Sequence, residues 1–136
     1  LEQLAVLTKR KKKKSAARLS KSSKLIKTII CAIQEKKGEN IISLDLRKIQ
    51  EAVADFFIIC EAGSQPQVRA IADFVESEMK KKCKESPYRH EGMKNLNWVL
   101  IDYVNVVAHV MLPETRRFYK LEEMWSDAAA EAHDIT

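Results

Sequence analysis

The side chains in this sequence best suited to proton transfer, metal binding or nucleophilic attack are three cysteines and three histidines. Cys31, Cys60, Cys83, His90, His109 and His133 contain no Cys-x-x-Cys and no His-x-x-x-His pair, the spacings that converge soft or imidazole ligands on one element. Cys83 and His90 could meet, but two ligands do not make a zinc site. Cys60 closes the apolar run Asp55-Phe-Phe-Ile-Ile-Cys60, where a thiol with no cation beside it is inert. His109 alternates with Val107 and Met111, opposite Ala108 and Val110, which reads as a neutral core or rim imidazole with one hydrogen bond. A catalytic base needs a nucleophile or acid within reach, and the sequence identifies none. Gly63-Ser64 stands between a strand and a helix, where free backbone N–H groups can cradle a phosphate. The loop lacks the glycine density of a nucleotide motif, and Pro66 removes a donor, so Ser64 reads better as a helix cap. No catalytic residue, metal or cofactor is expected.

The element that positions these groups is Trp98-Val-Leu-Ile-Asp-Tyr-Val-Asn-Val-Val-Ala-His-Val-Met111, the densest β-branched, aromatic and apolar run in the chain. Asn105 is its one good turn former, so the run folds back as a hairpin around Tyr103–Val106. Alternation places Trp98, Leu100 and Asp102 on one face and Val99, Ile101 and Tyr103 on the other. Both faces carry large apolar groups, so helices or a partner must cover both. Trp98 is either a core residue at a strand start or an anchor for a partner.

Around this hairpin the chain reads as α-β-β-α-β-β-β-α, a single mixed sheet of about five strands with helices against it. From Ser22 or Ser23, Leu25, Ile26, Ile29, Ile30 and Ile33 recur at helical spacing, with Gly38 as the stop. Residues 41–46 and 55–60 read as strands, the second a central one. Ser64 with Gln67 suggests a capping box, and Pro66 biases the helix to begin a residue late. Val68, Ile71, Ala72, Val75 and Met79 line that helix, and Lys80-Lys81-Lys82 suits the negative end of its dipole. Residues 87–91 form an edge strand blunted by Pro87 and charge. After Pro113, Phe118, Leu121 and Trp125 recur at helical spacing, giving one closing helix whose aromatics, with Tyr119, pack on the core. Residues 127–136 are expected to fray.

The 136 residues make one domain, large enough to bury a core without disulfides. The odd, unpaired cysteines suit a reducing compartment. No apolar run approaches the roughly 20 residues that span a bilayer, so a soluble protein is expected. Lys9, Arg10, Lys11, Lys12, Lys13 and Lys14 carry +6 of a net charge of +5, leaving a folded body near neutrality. Residues 1–21 are therefore a basic, flexible arm suited to an anionic partner, and residues 22–126 the domain. The hairpin's two apolar faces also allow pairing into a homodimer.

Taken together, several stretches resemble the ribosomal silencing factor, or Iojap, family. They are Asp45-Leu46; Ala54-Asp-Phe-Phe-Ile-Ile-Cys60; Gly63-Ser64 with Gln67-Val-Arg-Ala-Ile-Ala-Asp73; Glu91-Gly92; Trp98-Val-Leu-Ile-Asp-Tyr103 with Val106-Val-Ala-His-Val110; and Arg117-Phe-Tyr-Lys-Leu-Glu122 closing on Trp125. The resemblance spans about residues 25–128. It implies an α/β fold of nucleotidyltransferase-like topology without the catalytic carboxylates. It implies docking on the large ribosomal subunit, at its protein numbered fourteen, where the factor stands in the way of the small subunit and represses translation. It places the tryptophan matching Trp98 on the partner-binding surface; Leu100, on the same strand face, would extend that apolar anchor, Asp102 could pair with a basic residue of the ribosomal protein, and Tyr103 would be a rim contact. The basic arm lies outside the resemblance and reads either as a solvated tail or as a contact to ribosomal RNA. The competing readings are an RNA-binding module built on that arm and an active nucleotidyltransferase; no acidic pair beside Gly63-Ser64 is spaced to hold magnesium. The chain departs from the family at Glu61-Ala62, usually Ser-Gly; at Pro66, usually Arg; and at Val104-Asn105, usually Gly-Asp. A β-branched residue suits positive φ poorly, which argues against a primed turn there. The lack of a clear transit peptide points to bacterial cytoplasm, with a mitochondrion or plastid as the alternative.

Overall fold

The computed structural model describes residues 23–133, so the basic block Lys9–Lys14 lies outside the described residues. α1 spans Lys24–Glu35, and Ser23 Oγ accepts the Ile26 N–H at 3.3 Å, satisfying a free first-turn donor. The helix ends with the Gly38 N–H donating to the Ile33 carbonyl at 2.9 Å and the Lys37 N–H to that of Gln34 at 3.0 Å, a Schellman motif. Lys37, with φ 66°, is its left-handed residue. Gly38 is needed for space instead, because a Cβ there would stand 2.3 Å from Ile33 Cγ2.

β1 (Glu39–Asp45), β2 (Phe56–Glu61), β3 (Arg89–Glu91), β4 (Trp98–Asp102), β5 (Val106–Met111) and β6 (Ala129–Ala132) form one sheet in the order β3-β4-β5-β2-β1-β6. Only β2 and β5 run parallel; the other neighbours are antiparallel. α2 (Gln65–Cys83) connects β2 to the edge strand β3. Its N-cap is Ser64, whose Oγ accepts the Gln67 N–H at 3.3 Å, while Gln67 Oε1 takes the Gly63 N–H at 2.7 Å. The reciprocal cap therefore reaches one residue further out than the usual box. The helix begins at Gln65 and not a residue later, with Gln65 Nε2 tied to the Asn95 carbonyl at 3.0 Å and to Asn97 Oδ1 at 3.1 Å.

The sheet is buried on both faces, as the hairpin's composition requires. Val99, Ile101 and Tyr103 join Ile29, Ile33, Ile71 and Val75 of α1 and α2 in one core. Trp98 and Leu100 join Leu44, Phe57, Ile59, Val107, Met111 and Leu121 in a second. That second core is covered by the segment after β1 and by the chain beyond β5.

Two expectations are corrected at the C-terminal end. The closing helix is two pieces, α3 (Pro113–Tyr119) and α4 (Leu121–Met124), broken at Lys120, which takes φ 49° and ψ 55°. Residues 129–132, expected to fray, are a sixth strand antiparallel to β1, so the sheet has six strands and not about five.

The hairpin closes over two residues, with the Tyr103 N–H donating to the Val106 carbonyl at 2.9 Å, and a still tighter turn lies inside it. The Asn105 N–H donates to the Tyr103 carbonyl at 2.9 Å across Val104, which takes φ 73°: a γ-turn of the strained hand. Asp102 Oδ1 accepts the Val104 N–H at 2.7 Å and holds it there. A β-branched residue at positive φ costs about 1–3 kcal/mol. Val104→Gly is therefore expected to raise stability by about 1 kcal/mol, after glycine's greater chain entropy offsets part of the relief. Thermal melts should show a midpoint a few degrees higher; a lower midpoint would mean that the valine side chain's packing outweighs its backbone strain.

Candidate functional site

The four residues expected at the partner surface are all buried. Trp98 is 1% exposed, Leu100 and Asp102 are fully covered, and Tyr103 is nearly so. This corrects the picture of Trp98 as an outward anchor. Alternation correctly assigned its face, but that face is roofed by the chain's own C-terminal segment. The indole Nε1–H donates to His109 Nδ1 at 3.1 Å, and the ring lies 5.1 Å from that of Tyr119. Asp102 serves the hairpin turn. Tyr103 points to the opposite core, where burial pushes its phenol pKa up.

His109 is the neutral core imidazole expected from its strand position. Burial pushes its pKa down to about 3 from an ordinary 6.5. Because Nδ1 accepts from Trp98, the ring proton sits on Nε2, which has no hydrogen-bond partner among the described residues. Cys60 is likewise inert, with burial pushing its thiol up to about 12. Cys83 and His90 do not meet: Cys83 Sγ lies 3.4 Å from Thr28 Oγ1, and His90 Nδ1 3.1 Å from Glu76. Among the described residues no group of three or more His, Cys, Asp or Glu is placed to hold a metal.

One arrangement looks catalytic at first sight. Ser43 Oγ is 2.8 Å from His133 Nε2, and His133 Nδ1 is 4.0 Å from Glu131, beside a groove lined by Ile26, Ile30 and Phe56. Ser43, however, sits mid-strand between β2 and β6, so the backbone N–H groups around it serve the two ladders. No oxyanion hole is left to stabilise a tetrahedral adduct. The trio ties β6 to β1.

The surface feature that the helical pattern concealed is Phe118. Expected in the core, it is 77% exposed, the most exposed large apolar side chain among the described residues. Its ring stands 4.8 Å from Tyr119, which leads by ring contacts to Trp98, His109 and Phe57. A column of aromatic rings thus runs from a surface phenylalanine into the second core. The break at Lys120 explains the error, because a helix continued past it would have carried Phe118 and Leu121 on one stripe. After the break Leu121 is buried and Phe118 is not. The sequence also gave no sign of buried Arg116. Its Nη1 donates to the Asn40 carbonyl at 2.7 Å, its Nε to Glu122 at 3.1 Å, and Glu61 lies 4.0 Å away.

An exposed phenylalanine backed by a column of buried rings can anchor a macromolecular partner. The family model described as "Ribosomal silencing factor during starvation" matches residues 19–136. A Halalkalibacterium halodurans protein named ribosomal silencing factor RsfS is 38% identical over 110 residues, covering 79% of this chain and 90% of its own. A Chromobacterium violaceum crystal structure superposes with a TM-score of 0.71 at 34% identity, over 75% of this chain and 83% of that one. The mouse protein named "Mitochondrial assembly of ribosomal large subunit protein 1" is 35% identical over 74 residues, 53% of this chain and 32% of its own length. With the match running through both cores of the sheet, the chain belongs to the ribosomal silencing factor family.

Proposed function

We propose that the protein docks on the large ribosomal subunit, at the subunit's protein numbered fourteen, and keeps the small subunit from joining, thereby repressing translation. The observation that carries this reading is Phe118, exposed on α3 and backed by Tyr119 and Trp98. Exposed aromatics beside arginine are the residues that dominate protein interfaces, and Arg117 stands next to Phe118 on the surface. The name of the mouse relative, a large-subunit assembly protein, supports the choice of particle. Trp98 and Leu100 then act from beneath, the indole being the floor on which the docking rings rest, while Asp102 holds the hairpin turn and Tyr103 packs in the opposite core. Repression needs no bond to be made or broken, because occupancy of the joining surface is enough. The basic block Lys9–Lys14 would add a salt-sensitive contact to ribosomal RNA.

Phe118→Ala tests the face. A central interface aromatic is worth about 2 kcal/mol, or roughly thirtyfold in affinity, whereas an exposed side chain contributes within about 0.5 kcal/mol to the fold. In sucrose gradients the variant should stay folded but leave the large-subunit peak, and joined ribosomes should reappear. Co-migration and repression at wild-type strength would remove α3 from the mechanism.

A further inference from the structure

We infer that residues 121–133 are a strap, hinged at Lys120 and latched by the Arg116–Glu122 ion pair, that covers the second core in the free protein and swings aside when the large-subunit partner docks. The inference rests on the docking reading above and extends the docking face from α3 onto the sheet.

Four observations point to it. The hinge is a lysine at φ 49° between two short helices, and α4 is a single turn with no side-chain cap. Backbone held in the left-handed region by a non-glycine residue relaxes when its surroundings release it. Secondly, the strap is lightly seated. Of its residues only Leu121 is fully buried; Trp125 and Ala128 are half-buried, and all four residues of β6 are exposed. Alanine and glutamate are poor strand formers, so β6 exists by pairing with β1.

Thirdly, closure leaves polar groups unpaired. Trp125 Nε1, Glu122 Oε1 and His109 Nε2 are buried without a hydrogen-bond partner among the described residues. An unmet buried donor or acceptor favours any state that satisfies it. Opening returns the Trp125 and Glu122 groups to water. Fourthly, the latch can part without stranding a charge. Arg116 keeps the Asn40 carbonyl at 2.7 Å and Glu61 at 4.0 Å when Glu122 leaves.

What the strap protects is apolar: Leu44, Phe57, Val107 and Met111 lie in the core it helps to roof. Exposure of that surface to water is unfavourable, so the free strap opens only transiently and a docked protein surface holds it open. The partner implied is therefore an apolar protein patch, and not a nucleic-acid backbone.

Locking the strap tests this. Ile42 and Ala132 are cross-strand partners, and the His133 N–H···O Ile41 bond beside them makes theirs the non-hydrogen-bonded pair, whose close Cα atoms suit a disulfide. Ile42→Cys with Ala132→Cys, in a Cys31→Ser background that removes the exposed thiol, gives one protein measurable both locked and reduced. The oxidised form should bind purified large subunits at least tenfold more weakly than the same sample after reduction. Equal affinity in the two states overturns the strap. Loss of binding in both, with the unmutated chain also failing to bind, overturns the docking reading and the strap with it. Amide exchange in the free, unmutated chain supplies a readout independent of ribosomes. The Ala128 N–H and the β6 amides should exchange through openings far more frequent than those of β4 and β5; protection equal to that of β4 would also overturn the inference.

Discussion

Trp98→Ala is expected to cost about 3–5 kcal/mol of stability, the range for truncating a large, fully buried aromatic. The ring is 1% exposed and lies between Tyr119 and His109, so its removal opens a cavity beneath α3. It also deprives His109 Nδ1 of its donor. Against a typical total of about 5–15 kcal/mol, a large share of the variant would melt or aggregate near body temperature. Urea unfolding should show the midpoint falling sharply. A midpoint within about 1 kcal/mol of wild type would mean the indole contributes little to the core. The consequence for binding assays is practical: loss of ribosome binding in this variant reports a collapsed floor, whereas Phe118→Ala reports the contact itself. Trp98→Phe, which keeps a ring beneath Tyr119, is the better companion.

The second large effect is on acid stability. His109 has a folded-state pKa of about 3 against 6.5 when free, so the folded state resists a proton that the unfolded chain accepts. Its contribution is fully present above about pH 6.5 and is lost progressively as the pH falls toward 3, where the folded form finally protonates. By linkage the loss reaches as much as about 5 kcal/mol over that window. Carboxylates titrate in the same range, so the variant His109→Gln isolates the imidazole. Glutamine retains an acceptor for the Trp98 N–H. Stability measured by urea unfolding from pH 7 to 4 should fall less steeply in the variant, by close to one proton. Parallel slopes would show that the imidazole takes its proton without disturbing the fold.

How much of this was legible follows from what each signal encodes. Alternation in Trp98–Tyr103 assigns every apolar side chain to its correct face, because strand period depends on nothing but the backbone. Ser23 and Ser64 marked two helix starts, since a cap is a local bond. The family was readable from motifs spread over the two cores. Burial depth was not, because a face is a property of one strand and a roof belongs to another part of the chain. Trp98 therefore looked available when it is covered. Lys120 carries no local mark of a left-handed residue, so a helical stripe read through it puts Phe118 inside. Ala129-Ala-Glu-Ala132 reads locally as helix or coil; it becomes a strand only because β1 offers an edge. The γ-turn at Val104 contradicts residue preference outright, and Asp102 supplies the compensating bond.

The two cores draw on different lengths of the chain. α1, α2 and strands β1 to β5 precede Pro113 and supply the core beneath the two long helices. The opposite core also needs Leu121, with Tyr119 and Trp125 packed against it. A chain cut after Leu112 would therefore keep one face of its sheet covered and leave Phe57, Val107 and Met111 under-roofed on the other. Such a fragment would offer the sticky half of a protein whose whole is closed.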